Sequence, residues 1–184
     1  KVAAHDVRRI DRLVSEISEA SRIDAELSRA TFEPVDVAKL VANVIERRAA
    51  RGENGTCRIE LSRERGAALV PGVPLRLERL IENLLDNAVS FSPAKGTIAV
   101  RVARRDDAVE LAVCDQGPGI PPEAREKVFT RFHSLRPEAE DFGDHSGLGL
   151  AIGRSIAEAH DGTLVVADPE HGSGACLVLT LPAA

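Results

Sequence analysis

The link Arg105-Asp106-Asp107 constrains this 184-residue chain more than any other feature. Residues 97–104 and 108–115 read as strands, and so short a connection places them side by side and antiparallel. Segments with a different period surround this hairpin. Residues 75–89 read as a strongly apolar helix that stops at Ser92-Pro93, and residues 148–160 read as another. Asp36 sits at an N-cap position ahead of Val37, Leu40, Val41, Val44 and Ile45, a helix closed near Gly52. Residues 57–61 alternate like a strand, and residues 162–167 and 175–181 read as two closing strands. Pro71-Gly72-Val73-Pro74 reads as punctuation, residues 123–128 as a short helix, and residues 133–146 as a loop without a period. Helices interleaved with a hairpin-built sheet give an α+β fold class, a two-layer α/β sandwich over a mixed, mostly antiparallel sheet.

Residues 1–30 have another texture, with no Gly, no Pro and charges set between apolar residues. Ala3, Val7, Ile10, Val14 and Ile17 recur at alternating four- and three-residue steps, and Leu13, Ala20 and Leu27 widen the stripe. That is one face of a long helix suited to a bundle or coiled-coil seam. The expected division is therefore a helix over 1–30 and a globular domain over 31–184.

A hydrophobic fraction of 43% beside 29% charged residues suffices for a core and argues against disorder. A net charge of -5 argues against a general nucleic-acid binder, and five Phe with no Trp or Tyr weaken any model that stacks several bases on aromatic rings. No apolar run reaches the roughly 18 residues of a membrane span. Cys57, Cys114 and Cys176 are far apart in strand-like contexts and read as reduced core thiols of a cytosolic protein. His160 and His171 lie near element ends and read as surface residues. The absence of Met, even at position 1, leads us to expect a piece of a longer protein.

Three motifs carry chemistry. Asn83 and Asn87 are four residues apart on the helix over 75–89 and share a face. They either face water or offer amide oxygens to a hard cation such as Mg²⁺, whose remaining ligands come from phosphates. Asp115-Gln116-Gly117-Pro118-Gly119-Ile120 places a carboxylate at a strand end before a Gly-x-Gly loop. It is either a tight turn or an acceptor for an exocyclic amine, with backbone close to a ring. Ser146-Gly147-Leu148-Gly149-Leu150-Ala151 opens a helix, an ordinary start or an anion site of free backbone amides.

In this order the motifs resemble those of the ATP-binding kinase domain of bacterial sensor histidine kinases. Residues 80–87 look like that family's N box, residues 115–120 like its first glycine box and residues 147–150 like its second. Phe129-Thr130-Arg131-Phe132 is similar to its F box, and Gly172-Ser173-Gly174 with Leu181-Pro182 to its ending. The whole sequence looks most like the osmotic- and acid-responsive sensor kinases of alphaproteobacteria. The resemblance implies the GHKL (Bergerat) ATP-binding fold, with ATP and Mg²⁺ as ligands. It implies that Asn87 holds Mg²⁺ and Asn83 supports the triphosphate, these two being the catalytic pair. Asp115 would bind the adenine amine, Gly117 and Gly119 would admit the base, and Phe91 would pack on it. Gly147, Leu148, Gly149 and Leu150 would meet the phosphates through backbone amides, residues 133–146 would be the lid, and Ser90, Ile120 and Arg131 would complete the nucleotide site.

The same resemblance implies that residues 1–30 are the second helix of a dimerisation hairpin, making the full protein a homodimer. Its partner would be the receiver domain of a response regulator, not nucleic acid. The chain would be the cytoplasmic portion of an inner-membrane sensor, touching the membrane only through other segments. The sequence departs from the family where Ser90 and Ser134 replace basic residues and Ala175 replaces a common Thr. Phosphate charge would then fall to Mg²⁺ and some of Arg131, Arg136, His133 and His145. The family's phosphoacceptor motif is missing, since His5-Asp6 continues as Val7-Arg8-Arg9. The acceptor is expected upstream, leaving this chain inactive by itself. Gyrase-like hydrolytic ATPases share the fold but carry a glutamate base where this chain has Asn83. A third reading is a degenerate nucleotide-binding or interaction module without kinase activity.

Overall fold

The structure, a computed structural model, describes residues 31–64, 68–132, 147–168 and 174–184. The expected long helix, the 133–146 loop, His5 and His171 lie outside those residues. Helix α1 (Val37–Arg51) begins as its sequence requires: the Asp36 side chain accepts the Lys39 N–H at 3.0 Å. It ends at Gly52, whose φ of 69° is the left-handed cap expected there. Helix α2 (Pro74–Phe91) carries a proline in its first turn, where a missing N–H costs nothing. Helix α3 (Gly149–Glu158) is the third among the described residues.

Strands β1 (Glu33–Asp36) and β3 (Leu69–Gly72) form a small antiparallel sheet. Pro71-Gly72 is thus part of a strand and not mere punctuation. Pro34 and Pro71 are register partners, and a two-stranded ribbon tolerates the missing donors because both strands are edges. The main sheet contains β2 (Arg58–Arg63), β4 (Thr97–Arg105), β5 (Ala108–Cys114), β6 (Thr163–Ala167) and β7 (Cys176–Pro182). Its order is β2-β4-β5-β7-β6, with β2 and β4 parallel and the other neighbours antiparallel. The central hairpin turns at Asp106-Asp107, and Asp106 takes the left-handed φ of 48° that tight hairpins favour.

Period-two alternation aims Val100, Val102, Val109, Leu111, Val113, Leu177, Leu179 and Leu181 at the helices. These residues join Leu77, Leu80, Ile81, Leu84, Leu85, Ile152 and Ile156 in one buried cluster. The α+β sandwich expected from sequence is therefore the observed architecture. Residues 123–128 differ from expectation: they form two single 3₁₀ turns, Pro122–Ala124 and Lys127–Phe129. Their bonds run from Ala124 to Pro121 and from Thr130 to Lys127, three residues back, so no α-turn is closed.

The cysteine expectation fails for two of the three residues. Cys114 and Cys176 are register partners across β5 and β7, with Cα atoms 4.0 Å apart, and they are joined as a disulfide. Cys57 is free. Sixty-two residues of separation hid a direct cross-strand pair. His160 also departs from expectation, being only 3% exposed. Its Nε2 accepts the N–H of Val73, the residue capping α2, at 3.1 Å. Nδ1 therefore carries the proton and donates to the Ile156 carbonyl at 2.8 Å. The Phe32 ring covers the imidazole at 5.0 Å between centroids.

Candidate nucleotide site

The site grows from the C-terminal half of α2. Asn83 is buried among the apolar residues of that helix, and its side-chain amide donates to the Gly149 carbonyl at 3.0 Å. The donor half of the side chain is thereby spent on structure, and the amide oxygen is left as an acceptor. One turn on, Asn87 is half-buried, with Ser90 and Phe91 also half-buried. At the residue before Asn87, Asp86 pairs at 2.7 Å with the buried guanidinium of Arg48 on α1. Charge pairing there anchors the turn of α2 that presents Asn87.

Asp115 follows β5 and is 6% exposed. Its Oδ1 accepts the Gly117 N–H at 2.8 Å and the Ala175 N–H at 3.1 Å. Its own N–H donates to the Ala175 carbonyl at 2.9 Å. Burial raises its pKa above the ordinary carboxylate value, and the two N–H bonds partly oppose this by favouring the charged form. Both bonds fall on Oδ1, so Oδ2 takes neither. Two glycines permit this arrangement. A Cβ on Gly117 would stand 2.5 Å from the Phe91 carbonyl oxygen, so the loop can lie against the end of α2 only without a side chain. A Cβ on Gly174, at φ 126°, would collide with the Asp115 carbonyl oxygen. Gln116 turns away and accepts the Thr97 N–H at 2.9 Å, while Gly119 and Ile120 are half-buried beside Asp115.

Gly147 and Leu148 lead into α3, with Leu148 fully buried and Gly147, Gly149 and Leu150 half-buried. The Phe132 N–H donates to the Gly147 carbonyl at 3.1 Å, which joins the Phe129–Phe132 motif to the start of α3. Phe129 is buried beneath the guanidinium of Arg154, 5.0 Å from the ring centroid. Arg154 also pairs with Glu126 at 2.8 Å and with Glu158 at 3.2 Å. Arg131 is exposed, and the other basic candidates, Arg136, His133 and His145, lie outside the described residues.

The structure thus brings Asn83, Gly149 and Leu148 into one junction, and Asp115, Gly117, Gly174 and Phe91 into another. Sequence reasoning did not find Arg48, Arg154 or His160. A buried charge in a helix's last turn looks like any C-terminal arginine until its acidic partner is placed.

Among the described residues no cluster of three His, Cys, Asp or Glu could hold a metal. Mg²⁺ on a polyphosphate brings most of its ligands with it, and neutral Asn87 fits as one additional donor.

Residues 72–184 match the family described as Histidine kinase-, DNA gyrase B-, and HSP90-like ATPase. The chain is 45% identical over 193 residues to Sensor protein ChvG of Rhizobium meliloti, covering 99% of this chain and 33% of that protein. It is 34% identical over 179 residues to Sensor protein kinase PmrB of Pseudomonas aeruginosa, covering 97% and 37%. It spans about a third of the length of these relatives. Among solved structures, Mycobacterial sensor histidine kinase MprB superposes with a TM-score of 0.69 at 35% identity, covering 82% of this chain and 97% of that one. Full-length ShkA in complex with AMPPNP gives a TM-score of 0.73 at 29% identity, covering 95% and 36%.

Proposed function

This chain belongs to the family of histidine kinase-, DNA gyrase B- and HSP90-like ATPases, and from that premise we propose that it binds Mg·ATP as the catalytic part of a sensor histidine kinase. The observation that carries this reading is Asp115, buried at a strand end and held through one oxygen by two backbone amides. Its other oxygen is suited to the exocyclic amine of adenine. Phe91 and the glycine-bordered loop border the base, and the amides at Gly147–Leu150 and Arg131 serve the phosphates. The full-length relative ShkA, complexed with AMPPNP, supports a nucleotide in this fold.

Asn87 and the phosphate oxygens would hold Mg²⁺, which supplies charge neutralisation at the transferring phosphoryl group. The chain's own contribution is positioning. Asn83 fixes α2 against α3, Arg48 anchors the turn carrying Asn87, and Arg154 seats Phe129. The γ-phosphoryl then passes to a histidine nitrogen on a dimerisation helix. The P–O bond to ADP breaks as the P–N bond forms, and the phosphoryl moves on to an aspartate of a receiver domain. Residues 1–30 would belong to the dimerisation hairpin. The cytoplasmic face of a membrane sensor is the setting we propose, and no helix among the described residues is long and apolar enough to cross a membrane.

Hydrolysis as the main reaction is disfavoured by geometry. Asn83 cannot take a proton from water, and Glu82, about 100° round the helix, faces Arg47 of α1 at 3.4 Å. Calorimetric titration with Mg·ATP tests the proposal, and failure to bind any adenine nucleotide would overturn it.

A further inference from the structure

We propose that Cys114 and Cys176 form a reversible thiol–disulfide site whose bonded state holds the adenine subsite in its binding geometry. The coupling rests on the nucleotide reading above. The disulfide joins the last residue of β5 to the first residue of β7. One position further along stand Asp115 and Ala175, which exchange the N–H bonds at 2.9 and 3.1 Å that fix the acid. The covalent bridge is therefore the rung adjacent to the Asp115–Ala175 backbone bond and to the Ala175 N–H, one of the two amides that hold the Asp115 carboxylate.

Reversibility follows from topology. β5 and β7 are paired continuously from Ala108↔Pro182 to Cys114↔Cys176. That ladder keeps the two sulfurs opposed after cleavage, so reduction requires no unfolding and reoxidation is intramolecular. Alternation puts both cysteines on the sheet face opposite Val113 and Leu177, away from the helices. Cys114 is partly exposed while Cys176 is 5% exposed, so an incoming thiol meets Cys114 first.

The chemistry balances with two equivalents of a small thiol. The first thiolate attacks Cys114 Sγ, the S–S bond breaks, and Cys176 leaves as a thiolate that takes up a proton. The second thiolate attacks the small-molecule sulfur of the mixed disulfide, releasing Cys114 as a thiol and a small disulfide. Two electrons pass from the small thiols to the protein. In the cytoplasmic setting proposed above, where small thiols are abundant, a disulfide of this kind is characteristically transient and redox-sensing.

Bonding shortens the range of separations open to Asp115 and Ala175, so the oxidised form is preorganised and binds more tightly. The 184-residue chain is equilibrated with oxidised or reduced dithiothreitol and titrated with Mg·ATP, thiols being counted by alkylation and mass spectrometry. Oxidised chain should label at Cys57 alone and reduced chain at all three cysteines. Reduction should weaken Mg·ATP binding roughly fivefold, at the low end of typical coupling between sites. By reciprocity, saturating Mg·ATP should shift the dithiol–disulfide equilibrium by the same factor. The double variant Cys114→Ser with Cys176→Ser should bind like the reduced chain and ignore dithiothreitol. Equal affinities in the two forms, or three labelled cysteines under oxidising conditions, would overturn the coupling while leaving nucleotide binding intact. Absence of binding in both forms would overturn the nucleotide reading and the coupling with it.

Discussion

The side-chain amide of Asn83 donates to the Gly149 carbonyl at 3.0 Å, so the asparagine helix and the second glycine motif meet in one hydrogen bond. Asn83→Asp replaces the donor with a carboxylate oxygen facing a carbonyl oxygen in a buried position. The expected loss is about 1–3 kcal/mol of stability, from a buried acceptor left without its donor and a charge without a partner. Urea denaturation with an unchanged slope and a lowered midpoint is the checking measurement.

Under the proposed function Asn87 would contribute one neutral oxygen to a cation that travels with the triphosphate. Asn87→Ala should weaken Mg·ATP binding by roughly tenfold, the size of one charge-assisted contact. Metal-free ADP should bind nearly unchanged. Equal losses for both nucleotides in calorimetry would remove Asn87 from the metal.

Asp115 should make the chain prefer ATP to GTP, whose ring presents a carbonyl where adenine presents an amine. Asp115→Asn retains an oxygen for the Gly117 and Ala175 amides and turns an NH₂ outward, so the ATP:GTP preference should fall by roughly tenfold or reverse. Competition titrations with the two nucleotides measure it.

His160 predicts a pH dependence. Burial holds its pKa below the ordinary 6.5, while the Ile156 carbonyl and Asp161 oppose that shift. The unfolded chain therefore binds this proton more readily than the folded chain does. The contribution of neutral His160 to stability is complete above about pH 6.5 and is lost as the pH falls through the depressed folded value. Protonation would also set an N–H against the Val73 N–H. His160→Gln should flatten the stability profile on the acid side of about pH 6.5, read as thermal midpoints across a pH series.

Radiolabelled ATP should bind this chain without labelling it or being hydrolysed at an appreciable rate, because Asn83 is not a base and His5 lies in the wrong sequence context. Supplying a dimerisation helix that carries an acceptor histidine should give acid-labile, alkali-stable label on that histidine. Label on His5 in the shorter chain would contradict the assignment.

The sandwich, its helices and most strands were legible because Asp36, Gly52, Pro74 and the alternation in residues 97–115 act locally. The β1–β3 ribbon was not, because Pro34 and Pro71 argue against strands wherever an edge is not already known. The motif positions were legible as a set, since Asp115 and Gly117 need only a strand end and a turn. What escaped depends on contacts between distant segments. Cys114 meets Cys176, His160 meets Val73, and Arg48 meets Asp86, and no periodicity reports which segments become neighbours. Burial of His160 also reversed the ordinary expectation for an imidazole at a helix end.

The Phe132–Gly147 hydrogen bond places the two borders of residues 133–146 within one contact of each other. The closure entropy of that stretch is thus set against a fixed, near-zero span, and it grows only with the logarithm of length. Residues inserted or deleted between those borders should change the free energy of the framework by a few tenths of a kcal/mol. Changes of length between Phe132 and Gly147 should therefore leave the framework that carries Asn83, Asn87 and Asp115 nearly unchanged in free energy.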